Sequence, residues 1–295
     1  MMRWHASGQV SLSGPLLRLA DQADAAFAVL ASAWEAETER HPATLPAQVL
    51  RRTGYLRSFP HQATFAAGLD PAALDDFAAD PDQDPRSALG PATEILTPAA
   101  CYHLYPAREG QALARPLYLT TVSTCYRREA AYQPLRRQWA FTMREIVCLG
   151  TGEEAVSFVD KTRTAAGLLC DLAGLAIDWQ QATDPFFRPQ QNPAYLLQKL
   201  SPVKHEAVYA IASSGRTSAD PSPEGLAITS ANLHHEHFGE AFGITRHGEA
   251  AHSACVAFGI ERWLYAITET YGDDPRAWPD LPALAMEVTA KWPSW

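Results

Sequence analysis

The stretch Leu119–Gly150, LTTVSTCYRREAAYQPLRRQWAFTMREIVCLG, constrains this chain more than any other. Leu119–Tyr126 is rich in β-branched and aromatic residues. Trp139–Leu149 alternates and then runs apolar, so the pattern predicts two strands. Between them lie Arg127, Arg128, Glu129, Arg136 and Arg137. Taken alone, this is as readily a solvated, charge-rich hairpin as a binding surface. The rest of the chain separates the two.

The 295 residues are 47% hydrophobic and 19% charged, enough for one large domain with an ample core. A net charge of -9 argues against a nucleic-acid binder, since phosphate contacts need clustered Lys and Arg. No apolar run reaches membrane-spanning length and no signal-peptide pattern occurs, so no membrane association and a cytoplasmic location are expected. The five cysteines are odd in number and form no CxxC pair, which makes a disulfide framework unexpected. Cys125, Cys148 and Cys170 read as buried thiols.

In chain order, residues 1–20 carry no strong pattern and read as a tail. An Ala-rich helix is expected over 21–39, with Phe27, Leu30 and Trp34 on one face. A short helix over 46–52 follows, then a strand 55–60 closed by Pro60, and a small helix over 71–78. Residues 97–105 look strand-like. The spacing predicts a long helix over 151–177, a short one over 194–200, strands over 204–212 and 227–233, and a helix over 253–270 carrying Gly259-Ile260-Glu261-Arg262. A tail with Trp278, Trp292 and Trp295 ends the chain. Helices and strands alternate irregularly, which favours α+β with a largely antiparallel sheet. There is no GxxxxGK phosphate loop.

Three of these segments fall in a telling order. A helix is followed by a strand with proline (21–39, then 55–60). Tyr126-Arg127-Arg128-Glu129 is answered by the return strand Gln138-Trp139-Ala140-Phe141. Gly259-Ile260-Glu261-Arg262 comes last. In that order the chain resembles the catalytic domain of class II aminoacyl-tRNA synthetases, with seryl-tRNA synthetase nearest in pattern. The resemblance covers residues 21 to about 270 and implies an α+β fold with a mainly antiparallel sheet of six to seven strands flanked by helices.

Against the seryl pattern, Pro98-Ala99-Ala100-Cys101 stands where a Pro-Thr-x-Glu turn is usual, while Glu145 is kept. Two thiols, Cys101 and Cys255, with the Glu145 carboxylate make three ligands suited to zinc, leaving a position open. This set is similar to that of the atypical, archaeal-type seryl-tRNA synthetases and of the amino acid:[carrier protein] ligases related to them. Only about 20 residues precede the first expected helix, with neither a coiled-coil arm nor a basic stretch, so no tRNA partner is expected. The chain therefore resembles the carrier-protein ligases, with a docking insertion around 185–205.

The resemblance implies a site for ATP with Mg2+, a small amino acid and Zn2+. Arg127 and Arg262 would contact phosphates and act as the catalytic arginines. Glu129, Arg136, Arg137 and Phe141 would surround ATP. Leu226, Ala227, Ile228, Thr229 and Asn232 would border it; an acidic residue is usual at Leu226, and Glu224 is the substitute for a magnesium contact. Cys101, Glu145 and Cys255 would hold zinc, with the substrate amine in the open position. Trp139 and Met143, beside Glu145, would shape a pocket for glycine or alanine. Arg188, Lys199 and Lys204 would face an acidic, phosphopantetheinylated carrier protein. A homodimer is also implied.

Two other outcomes stay open at this level: transfer to a small-molecule acceptor, and a non-catalytic module. A second metal candidate is the group His234, His235, His237, His247 and His252, which has no fixed-spacing motif. His252, three residues from Cys255, is a candidate partner for that thiol. Asp160, Lys161 and Arg163 read as a solvated or dimer-facing helix surface.

Overall fold

In the computed structural model, residues 2–200, 203–211 and 225–292 are described. Glu224 and Trp295 lie outside them, as does Ala212, the expected end of the 204–212 strand. Seven strands make the central sheet: β1 Glu37–Glu39, β2 Leu117–Tyr126, β3 Ala140–Gly150, β4 Ile177–Gln181, β5 Lys204–Tyr209, β6 Leu226–His235 and β7 His252–Gly259. Their order across the sheet is β4-β5-β6-β7-β3-β2-β1. Every neighbouring pair is antiparallel except β1, which runs parallel to β2.

Four helices cover one face: α1 Pro15–Ser32, α2 Gly152–Leu172, α3 Ile260–Tyr271 and α4 Leu281–Ala290. Ile146, Cys148, Ala254, Val256 and Phe258 point from the sheet into this layer, where they meet Phe27, Phe158 and Trp263. Phe27 stacks on Phe258 at 4.3 Å and meets Trp263 edge-on at 5.0 Å. Burying an aromatic of this kind contributes about 1.5–3 kcal/mol. Because strand side chains alternate, Met143, Glu145, Val147 and Cys255 are left on the opposite face. That face floors the functional cavity.

Several elements differ from expectation. The first helix starts at Pro15, whose fixed φ suits the first turn, and ends at Ser32. Glu35, at φ 53, then turns the chain into β1. Residues 2–12 are a hairpin, Met2–His5 with Gln9–Leu12. Its Gly8, at φ 85, lies against the Tyr132 ring, where a Cβ would sit 2.6 Å away, and its carbonyl accepts from Trp139 N.

Tyr55–Ser58 is helical, begun by left-handed Gly54, and Pro60–Gln62 continues as a 3-10 turn. The segment 97–105 is not a strand but holds a 3-10 turn, Ala100–His103, because the amides of Ala100 and Cys101 donate to Glu145 instead of to a strand. Residues 253–259 are strand, not helix. Ser253–Phe258 are buried between β3 and β6, and that tertiary environment overrides the low β-propensity of the two alanines. The 151–177 helix stops at Leu172, and Ile177 opens β4. The expected C-terminal tail contains α4, capped by Asp280.

Candidate active site

A cavity of about 710 Å³ opens on the face opposite these four helices, bounded by β3, β5, β6, β7, the turn at 98–102 and the segment 184–186. Its floor is set by strand periodicity. Phe141, Met143 and Glu145 alternate into it from β3, and Cys255, Ala257 and Gly259 from β7. Cys255 pairs with Val147 in register, so Cys255 and Glu145 are diagonal neighbours on one face.

The turn carrying Cys101 closes over them. Glu145 accepts from Ala100 N at 2.8 Å and from Cys101 N at 3.2 Å. One donor atom from each of Cys101, Glu145 and Cys255 lies within 4.8 Å of the others, and all three residues are buried. The bond between the two thiols favours the protonated form of Cys101 and the ionised form of Cys255. Burial and the Glu145 carboxylate push both upward. Ionising the thiols beside the Glu145 carboxylate in so dry a site needs a cation to balance the charge. Two thiols and a carboxylate fit zinc.

Cys255 has two further neighbours, Asn232 Nδ2 at 3.5 Å and His234 Nε2 at 3.7 Å. Burial holds His234 down to about 4, with His237 adding to the effect. The Cys255 partner is therefore His234 on β6. His252 instead pairs with Glu236 at 2.8 Å, because strand alternation puts it on the opposite face from Cys255, with its ring against Gly152.

The other end of the cavity carries the arginines. Arg127 Nε donates to Pro98 O at 2.8 Å, and its guanidinium lies 5.3 Å from the Phe141 ring centre. Arg262 donates to Arg136 O and Ala227 O, which ties the start of α3 to the hairpin loop and to β6. Arg137 pairs with Glu129 at 3.0 Å, and the Arg136 guanidinium sits over Tyr265. Glu261 faces inward and accepts from Thr142 N; burial pushes its carboxyl up to about 7. Arg127, Glu129, Arg136, Arg137, Phe141, Ala227, Ile228, Thr229, Asn232 and Arg262 thus share one cavity with Met143 and the Cys/Glu/Cys group.

Leu226 and Trp139 do not join them. Leu226 packs into the core beneath the helices. Trp139 donates from Nε1 to Thr64 Oγ1 and lies under Arg128, outside the cavity. Lys204 is not a free surface residue: it is half-buried in the cavity wall between Asp184 and Glu206, at 2.8 and 3.0 Å. Arg188 and Lys199 are exposed on the insertion, each over an aromatic ring, Phe187 and Tyr195.

Sequence alone missed Asp184, Gln62 and Glu206, which line the cavity without belonging to any motif, and gave no site role to Tyr55, which also lines it. The one local signal at Asp184 is its Asp-Pro dipeptide, which marks only a turn. Gln198 bonds Asp184 through both backbone and side chain, at 3.1 and 2.9 Å. Burial works against the charged form of Asp184, but Lys204 overcomes it and holds the carboxyl below its usual range.

No family model matches the chain. The chain is similar to amino acid–[acyl-carrier-protein] ligase 1 of Bradyrhizobium diazoefficiens, 34% identical over 276 residues, covering 89% of this chain and 82% of the relative. Ligase 2 of the same organism is 33% identical over 298 residues, covering 96% and 86%. A type-2 serine–tRNA ligase of Methanococcus aeolicus is 25% identical, and the chain spans 48% of its length. The fold matches the M. kandleri SerRS solved with A. aeolicus tRNASec, at a TM-score of 0.80, 20% identity, and coverage of 97% of this chain and 58% of that one. It also matches prolyl-tRNA synthetase of Cryptosporidium parvum, at a TM-score of 0.69, 14% identity, and coverage of 92% and 50%. With the synthetase-type arginine cavity in place and a third of the residues shared across almost the whole length, the chain belongs to the amino acid–[acyl-carrier-protein] ligase family, built on a class II aminoacyl-tRNA synthetase fold.

Proposed function

We propose that this protein activates a small amino acid with ATP and transfers it to the phosphopantetheine thiol of a carrier protein. The observation that carries the reading is that Arg127 and Arg262 line the same cavity as the buried Cys101, Glu145 and Cys255 group. One end suits phosphates and the other an amino acid. The relatives' names support the carrier as acceptor.

In the first step a carboxylate oxygen of the amino acid attacks the α-phosphorus of ATP, and the bond to the bridging oxygen breaks to release pyrophosphate. Mg2+ would accompany the nucleotide. Arg127, prepositioned by Pro98 O, offers its fixed fork to the charge that builds on the phosphoryl oxygens. Arg262 holds Arg136 and β6 in place around the nucleotide. In the second step the carrier thiol attacks the carbonyl carbon of the aminoacyl-AMP, losing its proton, and AMP departs.

Zinc, when bound, would give the substrate amine a ligand position and so select an α-amino acid without gripping its side chain. Cys101, Glu145 and Cys255 would hold it. Met143, Ala99 and Ala257 line the cavity nearby and leave room for glycine or alanine. Arg188 and Lys199 on the exposed insertion would meet the acidic carrier, and the working unit would be a homodimer.

The test is amino-acid-dependent ATP–pyrophosphate exchange with zinc analysis, followed by loading of a holo carrier protein and of bulk tRNA. Exchange with glycine or alanine and thioester formation on the carrier are expected, with no aminoacylated tRNA. Absence of exchange with any amino acid overturns the reading; exchange without carrier loading redirects it to another acceptor. Cys101→Ala is expected to remove the equivalent of zinc held by the Cys101, Glu145 and Cys255 group, and exchange with it.

A further inference from the structure

We propose a second cation site at the rim of the sheet, beside the cavity that His235 lines, formed by His235, Glu236 and His252 and suited to a divalent ion such as zinc. One donor atom from each lies within 4.8 Å of the others. The three come from two strand ends: β6 finishes at His235, and β7 starts at His252. A register shift between Leu233 and His235 pairs His235 with Ser253, which sets it beside His252. His235 takes φ 51, a left-handed conformation that His tolerates better than most residues. The two imidazoles meet edge to face with ring centres 6.0 Å apart.

His252 is held on two sides. Its Nε2 lies 2.8 Å from Glu236 Oε1, and its ring rests against Gly152, where a Cβ would come within 3.2 Å of Cε1. Glu236 and His235 are the more exposed of the three. Zinc bonds of 2.0–2.1 Å place tetrahedral donors roughly 3.3 Å apart, so a modest rotation of these two side chains closes the set. Two imidazoles and a carboxylate, without thiols, form an open three-ligand site for borderline metals. The chemistry differs from that of the buried Cys/Glu/Cys group.

Occupation of the rim staples the end of β6 to the start of β7. Those strands carry His234 and Cys255, which meet at 3.7 Å inside the cavity. A cation at the rim therefore orders the strand ends that support the inner group.

Calorimetric titration of zinc tests this, using wild type and a Cys101→Ala/Cys255→Ala variant in which only the rim remains. One equivalent is expected to bind the double-cysteine variant at micromolar zinc. His252→Ala, Glu236→Gln or His235→Asn should each weaken that binding at least tenfold; Asn keeps the left-handed backbone. Should the cysteine variant not fold, cobalt(II) titration of wild type separates the sites, because only the inner one gives thiolate-to-cobalt absorption. A second, thiolate-free equivalent lost in His252→Ala supports the site. Zinc or cobalt stoichiometry unchanged by His252→Ala, or rim binding only at millimolar metal, overturns it and leaves an ordinary ion pair.

Discussion

The cavity has two unlike walls. Its floor is the centre of a sheet, where β3 and β7 are bonded along their length and Glu145 and Cys255 are fixed by register. The opposite wall is the segment around 184–204, held by a few polar contacts. Lys204 binds Asp184, Gln198 binds Asp184 twice, and Phe187 N donates to Ser58 O. Phe186 stacks on Phe59 at 4.9 Å to seal the contact. The floor places reacting groups to within the tolerance of a strand pair. The wall, carrying the helix Pro193–Leu200, is joined to the rest of the cavity mainly by side-chain contacts.

The sharpest way to break this contrast is on the floor. Arg127→Ala should lower the ATP–pyrophosphate exchange rate about 10²–10³-fold with little change in thermal stability. Arg127→Lys should recover little, because the planar fork is lost. An exchange rate near wild type in Arg127→Ala would mean that the floor does not carry the phosphoryl chemistry.

The wall should respond in stability instead. Lys204→Met leaves Asp184 without its cation, and unfolding free energy should fall by about 3 kcal/mol, read from denaturant midpoints. Adding Asp184→Asn should restore part of it, with the remainder left by Glu206, which also loses its cation. The sign with pH follows from the depressed Asp184 carboxyl. Its stabilisation is present above the ordinary carboxylate value and disappears as pH falls through the lowered one.

Glu261 on the floor side should behave in the opposite way. Its folded value is raised to about 7 from 4.5, so stability is full below about pH 4.5 and declines as pH rises through 7. Glu261→Gln should flatten that slope, worth a few degrees in Tm across the interval. A slope unchanged by the substitution would assign it to another group.

The smallest effect belongs to the exposed insertion. Lys199→Glu with Arg188→Asp should raise KM for the carrier a few-fold, more at low salt, and leave pyrophosphate exchange unaltered. Equal loss in both assays would place these side chains in the activation step instead.

Much of the floor was legible in the sequence, because strand alternation from Phe141 to Glu145 and the order Arg127, Arg262 are local patterns. That Cys101, Glu145 and Cys255 come together was legible only through family resemblance, since Cys101 and Cys255 are 154 residues apart and no spacing rule joins them. The wall was not legible. Lys204 looked like a surface cation because strand ends are usually solvated, yet Asp184 and Glu206 pair with it in the cavity wall. Trp139 fits a pocket-forming aromatic by position in its motif. In the fold its Nε1 goes to Thr64 and its amide to Gly8, on the far side from the cavity.

By itself, the sequence determined an α+β chain with a central antiparallel hairpin, paired arginines at its mouth and thiols too few and scattered for disulfides. Those properties follow from local periodicity and composition. The tertiary structure decided that Ser253–Gly259 is a buried strand, that the turn at Ala100 caps Glu145, and that His234, not His252, stands beside Cys255. Each depends on contacts between residues far apart in the chain. The energies of burial and register fix such contacts only once the whole sheet has formed.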